Sequence, residues 1–509
     1  MNPMVTHPPL LNVKCSTLSV KRSHFPPFFA TRLAALLALL AAGWPVLRWY
    51  AARLGDGSDE PWGLVALATA LFFAPWRAIL APLPPHRTLA LCTGLALYAA
   101  AYPWMPPLIR AVLFVTLIAL VIVPTSTAHS ALYNPQPAFS PLPFWSLLVL
   151  SLPVVATLQF YLGYPLRVIT THLSVPLIKL GGVTATATGT TLTWSGERVI
   201  VDAPCSGIQM LWTGLFCAAA LACWHRHDTR RTLRLAHTAA LAVFIANILR
   251  ATALFFTETG RWPAPPWAHD AIGLALFALA ALVILFAAER LAPQPVVPSL
   301  SPNTPASEHL SQRRPPPPPP PPLARLALLV LLLLLAAAAA APVWSAHIMT
   351  TTRATLAARA ATAFPGWHAA SVEPAISANW IQLSPDAREA RFAKDFPGTT
   401  AVFTDDTGRI YILRWLSHPT RRLHPAAHCL RALGYDTSPR PIHQKTDGTL
   451  WSATEATRNG HTLLVHERIL ATDGRAWTDV SAWYWTATLA RTPGPWWTIT
   501  ELVPQLHPR

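Results

Sequence analysis

Nine apolar blocks, most of them about as long as a membrane is thick, limit what this chain can become. They lie near residues 33–50, 61–77, 88–103, 108–124, 142–163, 206–224, 236–256, 268–288 and 323–345. A helix of roughly 20 apolar residues crosses the ~30 Å of bilayer hydrocarbon. Inside lipid, a segment must satisfy its own backbone hydrogen bonds, which leaves helices and closed barrels. The blocks are continuous rather than alternating, so the expected fold class is mainly α. It is a polytopic transmembrane helix bundle of about eight spans plus one more, followed by a C-terminal exported α+β domain.

Composition agrees. Of the 509 residues, 52% are hydrophobic and 12% charged, about half the ~25% charge of soluble domains. The formal net charge of +16 raises the question of nucleic acid. However, the Arg and Lys residues sit in short segments flanking apolar blocks, where they orient helices. No RNP, zinc-finger or helix-turn-helix pattern accompanies them, so a nucleic-acid partner is excluded and the partner implied is the lipid bilayer.

The loop His225–Arg234 carries four arginines against one aspartate and is expected to be cytoplasmic. Counting outward from it, the N-terminal cluster of Lys14, Lys21, Arg22 and Arg32 and the Arg313–Arg314 pair are cytoplasmic too. The first apolar run is extended by Trp44 to Leu47 without a small-residue cleavage site, so it reads as a retained helix rather than a secretory signal.

The expected organisation is a cytoplasmic segment 1–32 and a membrane domain 33–290. A Pro-rich cytoplasmic linker 291–322, a further helix 323–345 and an exported domain 346–509 follow. The unbroken run Pro315–Pro322 favours extended polyproline II. The last segment, about 160 residues, is long enough to bury a core of its own. In it, Thr400–Thr404 and Arg409–Trp415 flank Asp405-Asp-Thr-Gly408 as a hairpin. A second strand pair is expected from Thr462–Leu470 and Val480–Leu489 around Asp473-Gly474, with Trp483 and Trp485 on one strand face.

Six cysteines (Cys15, Cys92, Cys205, Cys217, Cys223, Cys429) form no CxxC pair and no disulfide framework. Cys205 is set apart by its surroundings. It follows Asp202-Ala-Pro204 and precedes Ser206-Gly207, where a loop enters a helix whose amide dipoles favour a thiolate. Gly207 lets a substrate backbone come close.

Two more polar residues intrude on apolar spans, Arg250 and His269. Cys205 and His269 begin spans that start on the outer side. Arg250 lies about 14 residues, or ~21 Å, into a span rising from the cytoplasm, which brings it to a similar depth. An arginine in an apolar helix costs at least about 2.5–3.5 kcal/mol to insert, so it faces an interior or snorkels outward. Asn247 shares its face one turn earlier, and Gly273 shares that of His269. A thiol, an imidazole and a guanidinium at one depth fill the roles of nucleophile, proton carrier and oxyanion stabiliser in acyl transfer. These groups need no cofactor and no metal ion. In the tail, His424, His428 and Cys429 lie close in sequence but lack a further ligand group for a metal.

Cys205-Ser206-Gly207-Ile208, Asn247-Ile-Leu-Arg250 and His269-Asp-Ala-Ile-Gly273, in order on consecutive spans, resemble the exosortases over roughly residues 30–290. The resemblance implies a bacterial inner-membrane cysteine transpeptidase with Cys205, Arg250 and His269 as catalytic residues and Ser206, Gly207, Asn247 and Gly273 in support. Its partners would be exported proteins ending in a short motif of the PEP-CTERM kind, a transmembrane helix and a basic tail. A glycan or lipid would be the acceptor. Around His424-Pro425, Cys429 and Gly434-Tyr435, the tail is distantly similar to a periplasmic domain of exopolysaccharide systems found with some exosortases.

Two other readings stay open. One is a non-proteolytic membrane protein of exopolysaccharide assembly or export, in which Arg250 and His269 line a glycolipid path. The other, a quinone-linked thiol oxidoreductase, needs paired outer-side cysteines, and Cys205 has only Cys429 as an exported partner.

Overall fold

The computed structural model describes residues 31–55, 62–124, 140–195, 197–201, 203–265, 267–292, 322–367, 380–385, 393, 396–489 and 491–505. Lys14, Lys21 and Arg22 of the N-terminal cluster, Cys15, Asp202 and nearly all of the Pro-rich linker lie outside these residues, whereas Arg32 opens the first helix and is buried. The described residues contain thirteen helices and eleven strands, mostly helical before residue 364 and mostly strand after it.

The apolar blocks become helices α1 (Arg32–Ala42), α2 (Trp44–Gly55), α3 (Trp62–Phe73), α4 (Pro85–Ala101), α5 (Pro107–Ile122), α6 (Pro141–Leu150), α7 (Val155–Leu180), α8 (Ile208–Trp224), α9 (Thr229–Glu258), α10 (Ala268–Leu291) and α11 (Pro322–Ala363). Four of them start on a proline, Pro85, Pro107, Pro141 and Pro322, whose missing N–H has no intrahelical partner to lose at that position.

By length and apolarity three helices can cross a membrane: α9, α10 and the Leu328–Met349 part of α11. Two bent pairs raise this to as many as five, α1 with α2 (66°) and α6 with α7 (91°), while α3, α5 and α8 are apolar but shorter. The membrane domain is therefore helical as expected; among the described residues three to five spans are recognised, so the expected eight plus one is not confirmed. Local chemistry explains the breaks. A Cβ at Gly43 would lie 2.1 Å from the Phe114 ring, so the bend lets α5 pack close. The α6–α7 bend contains Pro153, which cannot donate to a helix ladder. Past this bend α7 continues to Leu180 across a stretch expected as an outer loop. It then leads into a small antiparallel sheet, β1 (Thr186–Thr188), β2 (Thr191–Trp194) and β3 (Glu197–Ile200).

Helix α11 runs unbroken to Ala363, so the junction expected between residues 345 and 346 falls inside it. The tail then forms β4 (Ile381–Leu383), β5 (Gly398–Thr404), β6 (Ile410–Leu416), α12 (Ala426–Ala432), β7 (Asp436–Gln444), β8 (Leu450–Arg458), β9 (His461–Ala471), β10 (Ala476–Trp477), α13 (Val480–Thr488) and β11 (Trp496–Gln505). Its eight strands form an antiparallel sheet of order β4-β5-β6-β11-β9-β8-β7, with β10 paired to β9. The expected hairpin is β5–β6, and Asp405 Oδ1 ties its turn by accepting from the N–H groups of Thr407 and Arg409.

The second expected pair is only half right. β9 is a strand, but residues 480–488 are a helix. Asp479 caps it by accepting from Ala482 N at 2.7 Å, an N-terminal signal that outweighs the β-propensity of its Trp-Tyr-Trp core. Trp483 is buried against Trp496 of β11, at 5.6 Å between ring centres. Trp497, next along that strand, faces the opposite side with Trp415 and Phe364.

Helix α13 docks the tail on α7. Pro165 inside α7 has no N–H, which leaves the Tyr161 carbonyl without its helical donor. Trp485 Nε1 donates to that oxygen at 2.6 Å, and Ser481 Oγ donates to the neighbouring Phe160 carbonyl at 2.6 Å. Beside them Arg167, with its side chain only 5% exposed, pairs with Asp479 Oδ2 at 2.7 Å. Asp479 therefore caps α13 with one oxygen and anchors it to the membrane domain with the other.

Candidate active site

Between β3 and α8 the chain makes a 3-10 turn, Ala203–Ser206, and Cys205 lies in this turn rather than in the helix. Gly207 follows with φ +75°, the left-handed conformation that glycine adopts without strain. A Cβ there would also sit 2.8 Å from Asn247 Cγ, so the position needs glycine twice over.

Asn247, buried on α9, holds the turn. Its Nδ2 donates to the Cys205 carbonyl at 3.1 Å and to Thr170 Oγ1 of α7 at 3.3 Å. Ser206 Oγ donates to Gln159 Oε1 of α7 at 2.7 Å and accepts from Ile208 N at 3.4 Å. Cys205 itself is half-buried, outside any disulfide, and rests against the cluster of Ile178, Leu192, Val201 and Phe255.

Helices α9 and α10 form an antiparallel hairpin, which sets the end of one beside the start of the other. Trp262 in the connection stacks on Phe256 at 4.7 Å, and its N–H donates to the Phe256 carbonyl. Glu258, the last residue of α9, thereby comes within 3.5 Å (Oε1) of His269 Nδ1 at the start of α10.

Arg250 lies two turns back along α9. A Cβ at Gly273 would be 3.1 Å from Arg250 Nε, so Gly273 makes room for the guanidinium. Both Arg250 Nε and Asn247 Oδ1 are buried with no hydrogen-bond partner among the described residues.

These elements enclose a cavity of about 840 Å³. Cys205, His269 and Glu258 lie on its wall, together with Val199 and Ile200 of β3. The opposite wall belongs to the tail, with Pro439, Arg440, Ile442 and Gln444 of β7. Neither Arg250 nor Gly273 is on this wall; the two pack against each other. All seven residues singled out in the sequence occur in this neighbourhood. Cys205 and His269 share the cavity, Asn247, Ser206 and Gly207 fix the turn under Cys205, and Arg250 pairs with Gly273. The sequence reading missed Glu258, Gln159 and Thr170. An acid at the end of an apolar span was a usable signal for Glu258, whereas Gln159 and Thr170 became visible only when α7 proved to be one long helix.

The three motifs are therefore one structure, each glycine making room for a polar residue of α9. Residues 60–286 match the family model described as transmembrane exosortase. Over these residues the chain is similar to the exosortase family. The matched region contains every residue named above in α7 to α10, and the tail with its β7 wall lies outside it. Comparisons with curated proteins and with solved structures returned no match.

Proposed function

We propose that the chain is a cysteine peptidase and transpeptidase of a bacterial inner membrane, cutting C-terminal sorting signals from exported proteins and passing them to a surface acceptor. The observation that carries this reading is the common cavity of Cys205 and His269 within an exosortase match. Cys205 attacks the peptide carbonyl, His269 delivers a proton to the departing amine, and the upstream protein remains as a thioester. A glycan or lipid amine or hydroxyl then displaces Cys205. Arg250, next in the chain to Ala251 on the cavity wall, supplies positive charge toward the oxyanion, and Glu258 positions the His269 ring.

The membrane orientation belongs to the same proposal. The arginine-rich end of α9 faces the cytoplasm, while Cys205 and the tail face outward. Signals of the PEP-CTERM kind, with a motif, an apolar helix and a basic end, suit a thiol placed at the head of a span, since the scissile bond then meets it at the outer membrane surface.

The experiment is expression of Cys205→Ala in cells that carry an exported protein with such a signal. The unprocessed precursor should accumulate with the variant at normal abundance. Normal processing with alanine at 205 would leave the non-proteolytic exopolysaccharide reading as the better account.

A further inference from the structure

A second thiol has a setting that chemistry at Cys205 does not use. Cys429, on α12, places Sγ 3.1 Å from His424 Nε2. The other ring nitrogen, Nδ1, is 2.8 Å from the Arg422 carbonyl oxygen. A carbonyl can only accept, so Nδ1 carries the hydrogen, and the neutral ring presents Nε2 to the thiol as an acceptor. A thiol, an imidazole within hydrogen-bond reach and an oxygen that orients the imidazole make up the arrangement that activates a nucleophilic cysteine.

The pair faces a cavity of about 320 Å³ between the two parts of the chain. The membrane helices contribute Arg53, Thr157 and Phe160, and the tail contributes Arg421 and His428. Among the described residues no carboxylate lines it. Burial, together with Arg414, Arg53 and Arg421, holds the His424 imidazole below its usual range. Burial, helped by Arg431 and His424, brings His428 down to about 4. At neutral pH both rings are uncharged, so the positive charge on the wall comes from the guanidinium groups. His424 also lines a neighbouring cavity, and that cavity shares Ile200, Pro439, Arg440 and Ile442 with the chamber around Cys205. The two thiols therefore open on one seam between the membrane domain and the tail.

We propose that Cys429 and His424 form a second acyl-transfer site, whose substrate is an ester or thioester bearing a carboxylate or phosphate. The thiol proton passes to His424 Nε2 as sulfur bonds to the carbonyl carbon. The carbon–oxygen or carbon–sulfur bond of the leaving group breaks, and the alkoxide or thiolate departs with that proton. Arg53 and Arg421 hold the anionic group. This inference does not depend on the role of Cys205.

The test uses the full-length Cys205→Ala protein in detergent, alkylated with iodoacetate or iodoacetamide and read by peptide mass spectrometry at Cys429. Relative to glutathione, Cys429 should favour the anionic reagent by roughly tenfold. Arg421→Gln should shrink that preference, read as the ratio of the iodoacetate rate to the iodoacetamide rate. His424→Asn should slow both reagents by at least ~10-fold, and a succinyl thioester should leave a succinyl adduct on Cys429 that His424→Asn abolishes. Because His424→Asn perturbs a packed pair, the native rates and the Arg421→Gln variant test the proposal without it. The absence of anion preference in the native protein, or a preference untouched by Arg421→Gln, would overturn it.

Discussion

At the scale of single residues, the site depends on what two glycines leave out. Adding a methyl group at Gly207 forces an L-residue into φ +75°, at about 1 kcal/mol, and drives it into Asn247. Gly207→Ala should therefore lose processing more than it loses protein, which comparison of precursor cleavage with membrane abundance will show. Gly273→Val should displace Arg250 in the same way. Glu258→Gln keeps the shape but removes the charge beside His269. It should lower kcat by up to ~100-fold with abundance unchanged, the effect expected of a lost positioning contact; an unchanged kcat would make the contact incidental. Cys205, Arg250 and His269 were legible because polar residues stand out in apolar runs. Glu258 was not, because its meaning depends on the hairpin that returns α10 beside the end of α9.

At the scale of elements, the junction of α7 and α13 is where sequence and structure diverge most usefully. The hairpin over residues 398–416 was legible because its turn chemistry is local: Asp405 accepts from Thr407 and Arg409, and Gly408 takes φ +77°. The helix over residues 480–488 differs from the expected strand because its Asp479 cap, reinforced by contacts from α7 far away in sequence, outweighs the strand preference of its aromatic residues. Asp479→Ala should remove the cap, worth about 1 kcal/mol. It should also strand the buried Arg167, worth about 3–5 kcal/mol. Limited proteolysis should then release the tail readily, and adding Arg167→Leu should restore part of the protection.

The sheet makes a prediction about pH. Burial alone would raise Glu501, but His466 and Lys445, the latter at 2.8 Å, hold it down to about 2. A folded value below the ordinary carboxylate value of 4.5 means that the stabilisation is complete above that pH. It is lost as the pH falls toward 2, and amounts to about 3 kcal/mol. Thermal melting of the tail should show this acid sensitivity, and Glu501→Gln should flatten it while lowering the melting point at neutral pH.

At the scale of the whole molecule, the chain is a helical membrane domain and a β-rich tail that share a cavity of about 840 Å³. Apolar block length disclosed the first part and ordinary composition the second. The span count was less legible, because bends at Gly43 and around Pro153 divide apolar runs that hydropathy alone joins. The shared chamber was not legible at all, since β7 reaches Cys205 only after the tail has folded and docked. If Cys205 and the tail face the same side, a membrane-impermeant thiol reagent should label a cysteine placed at Gln444 and one placed at Thr259 from outside the inner membrane, and one placed at Thr229 only after the membrane is opened.

The central claim is that Cys205 carries the cleaved protein as a thioester. Its most direct test is intact-mass and peptide analysis of the full-length protein, recovered from cells that express a tagged precursor with a C-terminal sorting signal, with and without neutral hydroxylamine. A hydroxylamine-labile adduct is expected on Cys205, which ends at the cleavage point and disappears in Cys205→Ala along with processing. Cleavage that proceeds in Cys205→Ala, or an adduct only at another residue, would contradict it.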